Sequence, residues 1–306
     1  MQTSAAGEKR AALAAGIGSN LIWGFLPLAM QAIARTGPGP WEILAQRVVW
    51  GAVAAGVFVL LARQGGQVLR IVREPKTLAL LALSSALIAV NWVVFIWAVT
   101  TGRVLESSLG YYIIPLLNMA VGALVFREKL SRIAIAAIAL AALGVAVQTL
   151  AVGRLPWVSL ALAVSFGGYG IVRKQVKADA QSGLFIECLT LMAPCLIYIG
   201  WLQHAGLGHF TAGPMPASAL IAAGVLTATP LAMFSWAARR LPLSVIGFLQ
   251  FFSPTVSFFI GVAQGEPFRA LNGVAFVLIW IGAALFVLSA VRSARDLRRG
   301  ELAPQP

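Results

Sequence analysis

Apolar residues fall along this chain in long blocks, not in alternation. Ten such blocks lie near 11–34, 41–62, 77–100, 104–126, 132–151, 155–173, 184–203, 217–238, 243–264 and 270–291. Wound as a helix, a run of about twenty residues crosses about 30 Å of hydrocarbon. The two-residue alternation of a membrane β-barrel is absent. The pattern predicts an all-α polytopic membrane protein with ten transmembrane helices joined by short connections.

Composition agrees. Of 306 residues, 59% are hydrophobic and 11% are charged, against roughly 25% charged in a soluble domain. The net charge of +13 would suit nucleic acid, but its distribution follows membrane topology instead. With the N-terminus inside, 18 Lys and Arg residues fall in inner loops and 4 (Arg35, Arg103, Arg154 and Arg269) in outer loops. Positive charge gathers on the cytoplasmic side, so both termini are expected there. The basic tail 293–306 would anchor at an anionic leaflet. Lys9-Arg10 followed by an apolar run has the look of a leader. That run is nevertheless read as the first span, because it carries Asn20, Trp23 and Pro27 and extends past a leader's length.

The fourth block opens a chemical question. It carries Pro115 and Asn118 near its centre and Tyr111 and Tyr112 toward one end. Proline removes a helix hydrogen bond, and asparagine is unfavourable in lipid. Tyr111, Pro115, Asn118 and Gly122 share one helix face. In the ninth block Gly247, Gln250, Pro254, Ser257 and Gly261 do the same. Such faces should turn into the bundle, Pro115 and Pro254 breaking their helices beside a polar cavity. Asn118 and Gln250 either line that cavity or make interhelical packing bonds.

The two blocks are related. Phe95-Ile96-Trp97-Ala98 returns as Phe234-Ser235-Trp236-Ala237, and Pro115 and Gly122 return as Pro254 and Gly261, all at an offset of 139. Ser19, Trp23 and Gly24 resemble Ser165, Tyr169 and Gly170, and Glu42 corresponds to Glu187. Residues 1–152 therefore read as a first five-helix repeat and 153–292 as a second. Five is odd, so the second copy is inverted. Inverted repeats are the build of many secondary transporters, with a site at mid-membrane.

The same residues carry a family resemblance. NWVVFIWAV at 91–99 and GRVLESSLGYYIIPLLNMAVGALVFREKLS at 102–131 resemble RarD-type permeases of the EamA branch of the drug/metabolite transporter superfamily. So do WEILAQRVVW at 41–50, SFGGYGIVRK at 165–174 and the long stretch 228–268. The resemblance covers nearly the whole chain. It implies ten helices, an inverted repeat and export of a small organic metabolite or drug across the bacterial inner membrane.

Candidate substrate contacts are Trp23, Arg47, Asn91, Trp92, Tyr111, Tyr112, Asn118, Tyr169, Trp236 and Gln250. The aromatic members form a cavity wall or serve as core and interface-belt residues. Arg47 lies inside a span, so it pairs between helices, meets an anionic substrate group or snorkels to the interface. Glu42 and Glu187 are candidates for proton coupling, or simply first-turn carboxylates favoured by the helix dipole. His204 and His209 sit in a loop with no partner set for a metal. Cys188 and Cys195 are too far apart along one helix to bridge. Without a nucleotide-binding loop or a nucleophile–base pair, the chain is not read as an enzyme in the first place, and no cofactor or ATP-driven reading survives. The expected partners are a small molecule and the lipid bilayer, with the protein a monomer or homodimer. An uptake permease of the same fold, or a non-transporting membrane enzyme or sensor, stands as the alternative.

Overall fold

The computed structural model describes residues 5–125, 131–153, 155–241 and 243–298. The side chains of Asn118, Arg295 and Arg298, and all of Arg127, Lys129, Arg154 and Arg299, lie outside the described residues. The described chain forms twelve helices: α1 (Ala5–Ala34), α2 (Pro40–Leu61), α3 (Gly65–Arg73), α4 (Pro75–Thr100), α5 (Val104–Val125), α6 (Arg132–Val152), α7 (Trp157–Lys174), α8 (Ala180–His204), α9 (Pro214–Ala238), α10 (Leu243–Leu249), α11 (Phe252–Ala263) and α12 (Ala270–Arg298). Among the described residues, seven helical stretches are long and apolar enough to cross a membrane.

Local chemistry sets the ends of these helices. Pro40, Pro75 and Pro214 open α2, α4 and α9, where a missing N–H costs nothing. Ser131 caps α6 by accepting the Ala134 N–H at 3.2 Å, and Gly153 closes it at φ 72°, a left-handed conformation glycine adopts without strain. Glu266, from the connection before α12, accepts the free N–H groups of Val104 and Leu105 at 2.5 and 2.8 Å and so caps α5 from across the chain. Burial pushes the Glu266 carboxyl above its ordinary value, while those two N–H groups act the other way.

Polarity is inverted relative to a water-soluble protein. Leu60 and Leu150 are 76% and 78% exposed, whereas Arg47 and Glu187 are 3% and 0% exposed. Ser19, Ser84, Asn91 and Ser107 are buried as well. An aliphatic outer surface with polar groups turned inward fits a hydrocarbon surrounding. The protein is a polytopic α-helical membrane protein.

Helix α2 packs against α8 and α9, α1 against α9 and α11, α4 against α7 and α8, and α5 against α7 and α11. Helices α6 and α12 form a separate pair at the side of this group. Small residues allow close approach. A Cβ on Gly224 would run into the backbone of Trp50 and Gly51 across the α2–α9 contact. A Cβ on Gly200 would meet no described atom within 4 Å.

Two differences from the sequence reading concern the broken helices. The ninth predicted span is two helices, α10 and α11, interrupted at Gln250–Phe251. Pro254 supplies no N–H for the Gln250 carbonyl four residues earlier, and its ring crowds that carbonyl. Pro115 makes the same omission toward Tyr111, yet α5 runs through it unbroken. In addition, the short amphipathic helix α3 occupies the connection before α4, with Ile71 buried and Leu69 and Val72 exposed.

Gly224→Ala should lower stability by about 1–3 kcal/mol through overpacking. Gly200→Ala should raise it by about 0.5–1 kcal/mol through backbone entropy. Thermal melting of both variants in one detergent checks the pair.

Candidate functional site

Between the two halves of the chain lies a cavity of about 320 Å³. Helix α1 contributes Asn20, Trp23 and Leu26, α2 contributes Arg47, and α4 contributes Ile88, Asn91, Trp92 and Phe95. Helix α5 adds Tyr111, Ile114 and Pro115. From the second half come Phe166 and Tyr169 of α7, Leu184 of α8, and Thr227, Leu231 and Phe234 of α9. The α10–α11 break supplies Gln250, and α11 adds Ser253, Pro254 and Ser257. Among the described residues, none of α6 or α12 lines the wall.

Aromatic contacts make that wall stiff. Phe95 meets Tyr111 edge-on at 5.9 Å, Tyr111 meets Phe166 at 6.1 Å, and Phe166 meets Tyr169 at 5.6 Å. Trp23 packs on Phe234 at 5.4 Å across the two halves. Asn91 is held from behind: its amide donates to the Leu162 carbonyl at 3.1 Å and to Ser165 Oγ at 3.2 Å. Its carbonyl accepts from the Tyr111 hydroxyl at 3.1 Å, which fixes the tyrosine rim. Ser257 donates to the Gly24 carbonyl at 3.1 Å and ties α11 to α1.

Arg47 is the only formally charged residue in the described wall. Its Nε donates to Thr227 Oγ1 at 2.6 Å, and Thr227 in turn donates to the Ala223 carbonyl at 2.8 Å. The guanidinium lies over the Trp92 ring at 4.5 Å. Among the described residues its buried Nη1 has no hydrogen-bond partner.

Charged clusters stand toward opposite ends of the bundle. Near the α1–α2 connection, Glu42 accepts the His209 backbone N–H at 2.7 Å, and its other oxygen is 2.8 Å from His209 Nδ1. At the other end, Glu187 accepts the Ser84 hydroxyl at 2.6 Å and the Tyr169 hydroxyl at 3.4 Å, with Arg173 Nε 3.6 Å away. Glu187 lies two turns inside α8, which begins at Ala180, so the first-turn reading is corrected for this residue. Glu42 does lie in the first turn of α2, but a loop histidine engages its carboxylate.

The structure brings Trp23, Arg47, Asn91, Trp92, Tyr111, Tyr169 and Gln250 to one wall, together with Pro115 and Pro254. It does not bring Tyr112 or Trp236 there. The Tyr112 hydroxyl bonds Thr255 at 2.5 Å, and its ring packs near Phe251, Phe276 and Trp280. Trp236 lies beneath the Arg240 guanidinium at 4.3 Å. Sequence reasoning missed Asn20, Phe166, Thr227 and Phe234 as wall residues. Phe234 was accessible, because it mates with Phe95 in the repeat. Among the described residues no group of His, Cys, Asp or Glu could hold a metal.

An aromatic cavity with one cation in its described wall, surrounded by the helices of a polytopic bundle, is a candidate small-molecule site inside a membrane protein. Comparisons specify which one. Residues 10–150 match the model of the EamA-like transporter family. The protein RarD of Streptomyces exfoliatus is 37% identical, over 95% of this chain and 92% of its own. The protein RarD of Escherichia coli is 37% identical, over 94% of this chain and 97% of its own. An uncharacterized transporter of Vibrio cholerae is 35% identical, over 92% of this chain and 94% of its own. The chain belongs to the RarD-type permeases of the EamA family and is a membrane transporter. One solved crystal structure, 20% identical, aligns over 90% of this chain and 98% of its own at a TM-score of 0.58, a likeness of fold alone.

Removing one member of a buried ion pair leaves an uncompensated charge, whereas removing both does not. Arg173→Met alone should therefore destabilise by about 3–5 kcal/mol, and Arg173→Met with Glu187→Met by clearly less. Chemical denaturation of the three proteins checks the order.

Proposed function

We propose that this protein is a secondary transporter that exports a small organic metabolite or drug across the bacterial inner membrane by alternating access. The carrying observation is that both halves of the chain bound one cavity. In this reading, ten spans form two inverted five-helix repeats, 1–152 and 153–292. Helices α1, α2, α4, α5 and α6 correspond to α7, α8, α9, α10 with α11, and α12. Exchange of mates maps the observed packing onto itself: α1 on α9 becomes α7 on α4, and α1 on α11 becomes α7 on α5. The pairs α2–α8, α5–α11 and α6–α12 map onto themselves. The charge bias supports cytoplasmic termini, with 293–306 as a basic tail at the inner leaflet.

Rocking of one half against the other would open the cavity first to one side and then to the other. Glu42 and Glu187 occupy mated positions, each closing its end of the bundle through a partner from another element. Glu42 with His209 serves as the outer latch and Glu187 with Arg173 as the inner one. Protonation of either carboxylate weakens its latch, which couples opening to protons.

Reconstitution into liposomes tests this directly. Flux of metabolites and antibiotics should depend on the protein and respond to an imposed pH gradient. Glu42→Gln with Glu187→Gln should abolish the response to that gradient. Unchanged proton flux in the double variant would contradict proton coupling, and no protein-dependent flux of any solute would contradict transport.

A further inference from the structure

Three arginines, Arg47, Arg103 and Arg173, carry a buried Nη1 without a hydrogen-bond partner among the described residues, and that of Arg103 has the Glu106 carboxylate 3.8 Å away. Their surroundings differ. Arg173 has the Glu187 carboxylate 3.6 Å away as a counter-charge. Arg47 has only the Thr227 hydroxyl and the face of Trp92. The carboxylate nearest to it in sequence, Glu42, is engaged by His209. Arg47 is 3% exposed and faces the cavity. A buried guanidinium stays charged, and without a counter-ion its burial is strongly unfavourable. A ligand's anion placed at Nη1 removes that penalty.

The rest of the wall narrows the ligand class. With Nε committed to Thr227, one cation serves one anionic group, and a dianion would leave negative charge unmatched in an apolar site. Seven aromatic side chains line the remaining surface. They offer flat apolar contact to an organic body and nothing to a bare hydrated ion. Gln250, at the α10–α11 break, supplies an amide for a second polar group.

We propose that Arg47 anchors the carboxylate of a small organic monoanion whose apolar, preferably aromatic, body packs against the ring-lined wall. Trp92 and Thr227 hold the guanidinium in place for it. This names a substrate class for the transporter reading and rests on that reading's cavity.

The test is calorimetric titration of the full chain in nanodiscs with 3-phenylpropionate and its neutral amide, 3-phenylpropionamide. The acid should bind at least about tenfold tighter than the amide, because its hydrogen bond to Nη1 is charge-assisted. Arg47→Gln should remove this preference, the acid losing at least about tenfold more affinity than the amide. If the variant fails to fold, the comparison of acid with amide on the unaltered protein still decides. Equal binding of the two compounds overturns the proposal, and so does failure of both to bind. Displacement of the acid by equimolar inorganic phosphate or chloride also overturns it, as a site for bare anions. Liposome flux of the same compounds separates the two readings. Amide flux without acid flux retains the transporter and rejects the anion anchor. Acid binding at Arg47 without flux of either compound retains the anchor and rejects transport of this ligand class.

Discussion

Hydrocarbon offers no hydrogen bonds, so every polar group in a spanning helix must find its partner inside the protein. Most features of this structure answer that constraint. Serines along α1, α4, α5 and α7 turn back to carbonyls of their own helix, as Ser19 does to Gly16 and Ser107 to Val104. Asn91 spends its amide on α7 and its carbonyl on Tyr111. Glu266 reaches across the chain to the open end of α5. Among the described residues a few buried polar atoms lack a partner, and one of them, Arg47 Nη1, belongs to a residue of the cavity wall.

Residues that recur at a fixed offset in the two halves of the sequence meet two different fates in the structure. Pro115 and Pro254 omit the same bond, but only the second interrupts its helix. The broken copy places Gln250 at the cavity wall on a turn instead of a helix. Glu42 and Glu187 diverge in the same way. One sits at a helix start against a loop histidine, and the other lies two turns deep against an arginine on α7. These departures from symmetry separate the two ends chemically.

Much of this was legible in the sequence. Apolar blocks located the helices because their length must match the bilayer. The recurrence of Trp and Pro at a fixed offset paired α4 with α9 and α5 with α10–α11, and so pointed to helices that line the cavity. Other features were hidden for physical reasons. Whether a proline breaks its helix depends on neighbours that replace the lost bond, which periodicity does not report. Tyr112 and Tyr111 are adjacent, yet about 100° of helical rotation sends one to the cavity and the other into the α11–α12 aromatic cluster. The beginning of α8 at Ala180 placed Glu187 deeper than the apolar run suggested, because the small and polar residues 180–183 belong to the helix. Thr227 carried no signal of its own. Only the fold shows that it faces Arg47 across 180 positions of chain.

The central claim is that one cavity opens alternately to both sides of the membrane. Leu231→Cys in a background of Cys188→Ala and Cys195→Ala places a single thiol on its wall. Labelling with a membrane-impermeant thiol reagent, in right-side-out and in inverted vesicles, is the most direct measurement. The account predicts modification from both sides. Modification from one side only, or from neither, would make the cavity a fixed pocket and contradict it.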